Sequence, residues 1–545
     1  MYVFENPVLQ RELLVNLRTV RSFLLLAAYQ VILGAVVIIA WPSDERLDLS
    51  SNPASARRLA DLFFLSQYVI ASLMAPSFAA GAITGEKERM TYELLLATPL
   101  RPVAIVIGKM VASLTHLVLI IVASLPIVVL CLPLGGLSVY EVLAAYVGLI
   151  VSVILFGAIG IFCSSYFHRT SASLVVSYLI ILPLAMMAIG FWRGLESDGE
   201  LRLQITTIVL PAFAMTIVML LCGNAAGRML YPPDIGSEGK DVIDIDKENE
   251  QAIGLVINRD QFPDRLFAPP KKQTLMPDGR NPVYDKEIHN EIFSQGTLML
   301  RLVIQISMLL ALPLMAWLLF IRSEHVAWFV VYVVVFNMLV GPIFLAGAIT
   351  GERERQTLDL LLTSTVTSSQ ILWGKLLVGL RVSCVLTAFL LWPLLLAAAF
   401  VDSFWSNWAA LLTMLGIVAL VCVSNGVIAL FCSSLVSKTS VALLITYTAL
   451  LALYALPIAS ATLFDLVQPD IFGQQAWASW LTMTSPFTAL FAIPLDENLN
   501  QGGEGPSNPG NIKLVIAYFV FTISMILGLV LLTTRRLAKR SELAQ

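Results

Sequence analysis

Charge is what this 545-residue chain has least of. Asp, Glu, Lys and Arg together make up 13% of it, against a hydrophobic share of 58%. Soluble domains carry roughly 25% charged residues. A core cannot hide this much apolar surface, so a water-soluble globular protein is excluded and most side chains must face lipid. No basic domain stands apart from the apolar runs, which excludes a nucleic-acid partner. The net charge of −3 adds little, because the charges are sorted by location. The four histidines are scattered, so metal-ligand spacing is missing. The six cysteines lie in or at the ends of apolar runs without a C-x-x-C pair, and read as small hydrophobes. The phosphate-cradling pattern Gly-x-x-x-x-Gly-Lys-(Ser/Thr) is absent too. Gly108-Lys109, Gly239-Lys240 and Gly374-Lys375 lack the upstream glycine and the following hydroxyl. No constellation of catalytic side chains appears.

What is present is a series of apolar runs. A helix needs about 20 such residues to cross the hydrocarbon, and the backbone must satisfy itself there. Twelve runs qualify, at about 22–42, 61–83, 103–131, 138–163, 171–192 and 205–230, then 298–321, 326–349, 371–400, 405–432, 439–464 and 511–534. The expected fold is all-α and polytopic. The first run follows Arg11, Arg18 and Arg21 and is too long for a signal-peptide core, so it reads as a retained helix. Residues 231–280 form a polar linker that opens with Pro232-Pro233. The chain therefore divides into a first six-span unit (1–230), the linker, and a second six-span unit (281–545).

Lys and Arg mark one face of the membrane. Arg11, Lys87, Arg89, Lys109, Arg169, Arg353, Lys375, Lys438, Arg535 and Arg536 fall on one side, and few fall on the other. By the positive-inside rule that side is cytoplasmic, with both termini and the linker, in the cell membrane.

The two halves repeat one another. Ala80-Gly81-Ala82-Ile83-Thr84-Gly85-Glu86-Lys87-Glu88-Arg89 returns, from Ala346 to Arg355, with Lys87 replaced by Arg353, 266 residues later. Pro76 and Pro342, and Gly108-Lys109 and Gly374-Lys375, keep the same displacement. Phe162-Cys163-Ser164-Ser165 returns at Phe431, and Arg169-Thr170-Ser171 as Lys438-Thr439-Ser440, both displaced by 269. Asn6-Pro7-Val8 returns at Asn281, displaced by 275. Six spans per half preserve the orientation, so the repeats are parallel and related by an axis along the membrane normal.

Two kinds of repeated element carry the functional reading. Asn6 can cap and Pro7 suits the first helical position, with Leu9, Leu13, Leu17 and Val20 on one face. That describes an interfacial helix before the first span, and Asn281-Pro282 starts a second. The other element is the charged one. Glu86 to Arg89 precede a leucine-rich stretch to Ala97, and Glu352 to Arg355 precede Gln356 to Leu362. With the acids at its head, each should be a short helix lying across the cytoplasmic mouth, capped by Thr84 or Thr350.

An Asn-Pro helix, two spans, Ile-Thr-Gly-Glu-x-Glu-Arg-x-Thr-x-(Glu/Asp)-Leu-Leu-Leu, Gly-Lys and four more spans together resemble the ABC-2 family of ABC transporter permeases, the type V exporter-like subunits. The resemblance covers nearly the whole chain except the linker. It implies a permease of an ATP-driven exporter, with ATP and Mg bound by two copies of a separate ABC ATP-binding subunit. It also implies that the charged elements are coupling helices. Glu86, Lys87, Glu88, Arg89 and Glu93 would dock one ATPase, and Glu352, Arg353, Glu354, Arg355 and Asp359 the second. Family permeases are often single six-span units that pair, whereas this chain resembles two such units fused.

Pro76 and Pro342 lie about ten residues before the charged elements, roughly 15 Å into the span, where a kink would serve as a hinge. Gln67 and Asn337 sit on the second span of their halves, where the resembling family lines its path; helix–helix hydrogen bonding is the competing role. The loop from about 465 to 510 carries no Lys or Arg and holds Trp477 and Trp480; a lid and a docking site for an outer component both stay open. Two other classes compete with the exporter. A secondary carrier would usually need buried carboxylates, which are lacking. A membrane scaffold of a larger assembly would bind other partners and show no flux.

Overall fold

The computed structural model describes residues 7–17, 27, 29–31, 34, 53–131, 138–167, 170–194, 199–230, 281–289, 297–316, 326–354, 356–400, 408–458, 461, 482–493 and 509–544. Most of the expected first span, the linker 231–280, most of the outer loop and Arg355 lie outside them. The described residues are helical with short turns between helices, and no strand occurs among them. Two compact units separate between Ile257 and Asn258.

Unit one comprises α1 (Pro7–Leu17), α2 (Pro53–Ala79), α3 (Gly81–Glu88), α4 (Tyr92–Leu96), α5 (Pro102–Ala123), α6 (Leu125–Cys131), α7 (Val139–Tyr166), α8 (Thr170–Gly194), α9 (Gly199–Gln204) and α10 (Leu210–Leu230). A π-helical turn, Ile205–Val209, joins α9 to α10. Unit two comprises α11 (Pro282–His289), α12 (Thr297–Met315), α13 (Val326–Glu354), α14 (Leu358–Leu362), α15 (Ser368–Phe400), α16 (Trp408–Leu435), α17 (Thr439–Leu450), α18 (Pro486–Phe491) and α19 (Pro509–Ala544).

Ten helices among the described residues are long and apolar enough to cross a membrane. They correspond to ten of the twelve expected runs. Of the other two, 22–42 is barely described, and 298–321 is described as α12. The protein is an all-α polytopic membrane protein.

Each unit is built round one helix. In unit one α7 packs against α2, α5, α8 and α10. Its start is fixed by a capping box: Ser138 Oγ accepts from Glu141 N at 3.1 Å, and Glu141 Oε2 accepts from Ser138 N at 3.0 Å. In unit two α16 packs against α13, α15, α17 and α19. Glycine sets how near these partners come. A Cβ on Gly157 would lie 2.4 Å from Leu114, and one on Gly426 would lie 2.8 Å from Leu345. Small residues of this kind let membrane helices approach closely, where packing rather than water drives association.

Candidate functional site

The repeated charged element forms the end of a membrane span. Glu86 and Lys87 lie in the last turn of α3, and Glu352 and Arg353 in the last turn of α13. The expected arrangement, with acids heading a short helix capped by Thr84 or Thr350, is therefore corrected. Those threonines instead donate back along their own helices, Thr84 Oγ1 to Ala80 O and Thr350 Oγ1 to Ala346 O, both at 2.8 Å. The chain then reverses through a left-handed residue, Met90 at φ 56° and Gln356 at φ 60°. L-residues avoid that conformation at a cost of roughly 1–2 kcal/mol, and it is adopted at equivalent positions in both units. The short helices α4 and α14 follow.

The first three charges of each element are tied to the protein itself. Glu86 Oε1 lies 3.0 Å from Lys109 Nζ, and Glu12 Oε1 of α1 lies 3.2 Å from the same amine. Lys109 is only 4% exposed, so its charge depends on those two carboxylates. Unit two repeats the arrangement. Lys375, 3% exposed, meets Glu287 of α11 at 2.5 Å and Glu352 at 3.3 Å, and Lys286 also reaches Glu352 at 3.2 Å. Thr91 and Thr357 complete the shells by donating to Glu86 and Glu352. The Gly-Lys landmark thus has a use for both residues. In unit two a Cβ on Gly374 would lie 3.0 Å from the backbone of Tyr284, so glycine admits α11 while the lysine binds it. Asn281 starts that helix by accepting from Val283 N at 3.0 Å.

Lys87 and Arg353 cap the end of the central helix. Lys87 Nζ donates to the carbonyls of Ser164, Ser165 and Phe167 at 3.3, 2.7 and 3.0 Å. Arg353 donates to the carbonyls of Ser434, at 2.9 Å, and Val436. Cations there satisfy orphan carbonyls and suit the negative end of the helix dipole. Glu88 and Glu354 do the converse at the start of the next helix. Each accepts a backbone N–H, from Thr170 at 2.7 Å and from Thr439 at 2.8 Å.

The Phe-Cys-Ser-Ser repeat serves the same brace. Ser164 Oγ accepts from Ile83 N and Thr84 N at 3.0 and 2.9 Å, and Ser433 Oγ accepts from Ile349 N and Thr350 N, both at 3.1 Å. One hydroxyl from α7 or α16 is thus inserted into the backbone of the span that carries the charges.

What remains outward is the tip. Met90, Leu94 and Leu360 are 71%, 70% and 72% exposed, and Arg89, Glu93 and Asp359 are exposed beside them. The tips are anchored from beneath by Tyr92 in unit one and by Leu358 and Leu362 in unit two, all buried. Leu358 and Leu362 share a core cluster with Leu537 of α19. Arg355 is not among the described residues.

Pro76 and Pro342 lie about two turns before the residues that Ser164 and Ser433 engage. Ala80, between α2 and α3, keeps helical dihedrals and donates to Pro76 O at 2.8 Å, so the span of unit one passes its proline as α13 passes Pro342. A tyrosine staples the turn before each proline: Tyr178 OH donates to Leu73 O at 2.7 Å and Tyr447 OH to Leu339 O at 2.6 Å. These tyrosines are displaced by 269, so the constant spacing of the repeat was the signal that could have singled them out. Glu12 and Glu287, displaced by 275 like their Asn-Pro starts, could have been found the same way.

Gln67 and Asn337 are both buried and both join helices. Gln67 Nε2 donates to Ser124 Oγ at 2.7 Å. Asn337 Nδ2 donates to Ser383 Oγ at 3.1 Å and Thr387 Oγ1 at 2.8 Å, and its Oδ1 accepts from Asn425 at 3.0 Å. No group of three metal-ligating side chains occurs among the described residues.

The arrangement is that of an arm ending in an exposed, rigidly held tip, built twice in one chain. No curated protein and no solved structure matches the sequence. The family model described as ABC-2 family transporter protein matches it twice, over residues 10–231 and 234–541. This chain therefore belongs to the ABC-2 family of transporter proteins, as two permease units in succession.

Proposed function

We propose that this chain is the membrane permease of an ATP-driven exporter and is worked from the cytoplasmic side through its two tips. ATP and Mg²⁺ are bound by a separate ATP-binding subunit, one copy at each tip, and hydrolysis there supplies the energy. Within this chain, the first contact surface consists of Arg89, Met90, Glu93 and Leu94. The second consists of Arg355, Asp359 and Leu360. Glu86, Lys87 and Glu88, with Glu352, Arg353 and Glu354, act one layer back. They lock the tip to the interfacial helix, the central helix and the following helix, so a push on the tip moves the bundle. The turns at Pro76 and Pro342 serve as hinges.

The observation that carries this reading is the exposed leucine on each braced tip. A large apolar side chain some 70% exposed at equivalent positions of both units suits a short helix that lays its apolar residue into a partner's groove. The bias of Lys and Arg to one side supports an orientation with the tips, the linker and both termini in the cytoplasm.

The test uses the chain purified with its nucleotide-binding partner. Leu94→Asp combined with Leu360→Asp should leave the melting temperature unchanged and abolish both partner retention and stimulated ATP hydrolysis. Full-rate solute flux by the chain alone in liposomes, under an ion gradient and without nucleotide, would overturn the proposal in favour of a carrier. Retention of other partners with no flux would overturn it in favour of a scaffold.

A further inference from the structure

At the end of unit one remote from the charged brace lies a cavity of about 160 Å³. Tyr68, Leu149, Ile189, Trp192, Ile205 and Leu210 are among its walls, and the lining is almost wholly apolar. The cavity is open on one side, and a volume of that size holds a benzene-sized apolar group. The position is well defined along α7. Its lining residues Ala145, Gly148, Leu149 and Ser152 precede the Ser164 brace by at least 12 residues, or roughly 18 Å of helix.

Two features distinguish this cavity from a packing gap. First, the backbone departs from α-helix where it lines the space. The turn Ile205–Val209 is π-helical, and Ile205 and Thr206 face the cavity from it. Such turns are frequent at functional sites. Second, one end is polar. Arg202 lines both this cavity and an adjoining recess of about 40 Å³ that Asp61 and Glu141 also line. Its guanidinium lies 3.5 Å from the centre of the Trp192 ring and donates one N–H to Asp61 at 3.1 Å.

An apolar slot with a polar mouth is the shape of an amphiphile site. The charges at the mouth narrow the class. A purely anionic head would meet two carboxylates round one guanidinium. A purely cationic head would meet the guanidinium. A head carrying both signs satisfies both.

We propose that this pocket seats the head-proximal carbons of the tail of a phospholipid whose head bears a phosphate and an amine, the phosphate at Arg202 and the amine at Asp61 and Glu141. The site is internal to unit one and independent of the tips. Filling it fixes the π-helical turn and the loop-side ends of α7 and α8 against one another.

The experiment uses the full-length chain in detergent micelles and a lysophosphatidylethanolamine with a photoreactive diazirine in its tail. Saturable labelling should map to residues 145–152 and 188–192. Unlabelled lysophosphatidylethanolamine should compete better than lysophosphatidylglycerol by roughly tenfold, about 1.4 kcal/mol. Gly148→Leu should abolish labelling, because a Cβ there already comes within 3.0 Å of Thr206. Should that variant not fold, Ser152→Leu fills the same slot from the next turn. Arg202→Gln should reduce competition by either lipid. Diffuse, unsaturable labelling of all the apolar helices would overturn the site, as would labelling that survives both slot-filling variants. Equal competition by the two lipids would overturn the assignment of the head.

Discussion

The charged ends of the two units are nearly superimposable in their chemistry, and their interiors are not. At the ends, each buried lysine meets two carboxylates, each serine accepts two backbone N–H groups, and each glutamate starts the helix that follows. In the interiors, unit one has a small cluster in which Gln67 and Tyr146 both meet Ser124. Unit two has a larger one, in which Asn337 joins Ser383, Thr387 and Asn425, and Tyr454 OH donates on to Asn425 at 2.9 Å. The position corresponding to Asn337 holds Ala71, and that corresponding to Gln67 holds Val333. A surface that must present one shape twice is held by the same bonds twice. An interior answers only to its own packing, and there the halves have diverged.

The sharpest way to break this comparison is to cut the braces. Lys109→Ala and Lys375→Ala should each destabilise their unit by about 3 kcal/mol, at the lower edge of the range for breaking a buried pair because the carboxylates are partly exposed. Chemical denaturation in detergent measures this, and the two costs should agree within about 1 kcal/mol. A cost confined to one unit would show that the ends are not equivalent. The interiors should differ. Asn337→Ala removes three hydrogen bonds and should cost about 2 kcal/mol, against about 1 kcal/mol for Gln67→Ala. Equal costs would contradict the divergence. The proline staples come back near symmetry: Tyr178→Phe and Tyr447→Phe each remove a hydrogen bond to a carbonyl and should cost about 1 kcal/mol, with a further loss at Tyr178, whose OH also meets Ser77 Oγ at 2.7 Å. Smallest, and of opposite sign, is the relief of the left-handed turns. Met90→Gly and Gln356→Gly should each stabilise by roughly 0.5–1 kcal/mol, the backbone relief less the entropy cost of glycine. Destabilisation there would mean that the side chains themselves hold the tips.

Much of this was legible in the residues. Long apolar runs identify spans because lipid leaves the backbone no other choice, and the repeat landmarks were all visible in order. What the landmarks do to one another was not. Glu12, Glu86 and Lys109 lie far apart in sequence, and only the packing of α1 on α5 brings them to one amine. The register of the charged element was misplaced for a local reason. The reversal after the span uses Met90 and Gln356, and neither residue carries the Gly or Pro signal by which turns are normally recognised. The acids therefore read as the start of the next helix rather than the end of the last. The apolar cavity was invisible for another reason: a π-helical turn has no compositional mark.

Ala80 keeps helical dihedrals, φ −63° and ψ −26°, and its N–H reaches Pro76 O at 2.8 Å, so the span of unit one runs on past its proline to Glu88 as α13 runs past Pro342 to Glu354. Both arms therefore share one build: a helix whose proline denies one carbonyl its intrahelical partner. Whatever bending a load on either end provokes would gather at that residue, and equal loads would bend the two arms alike.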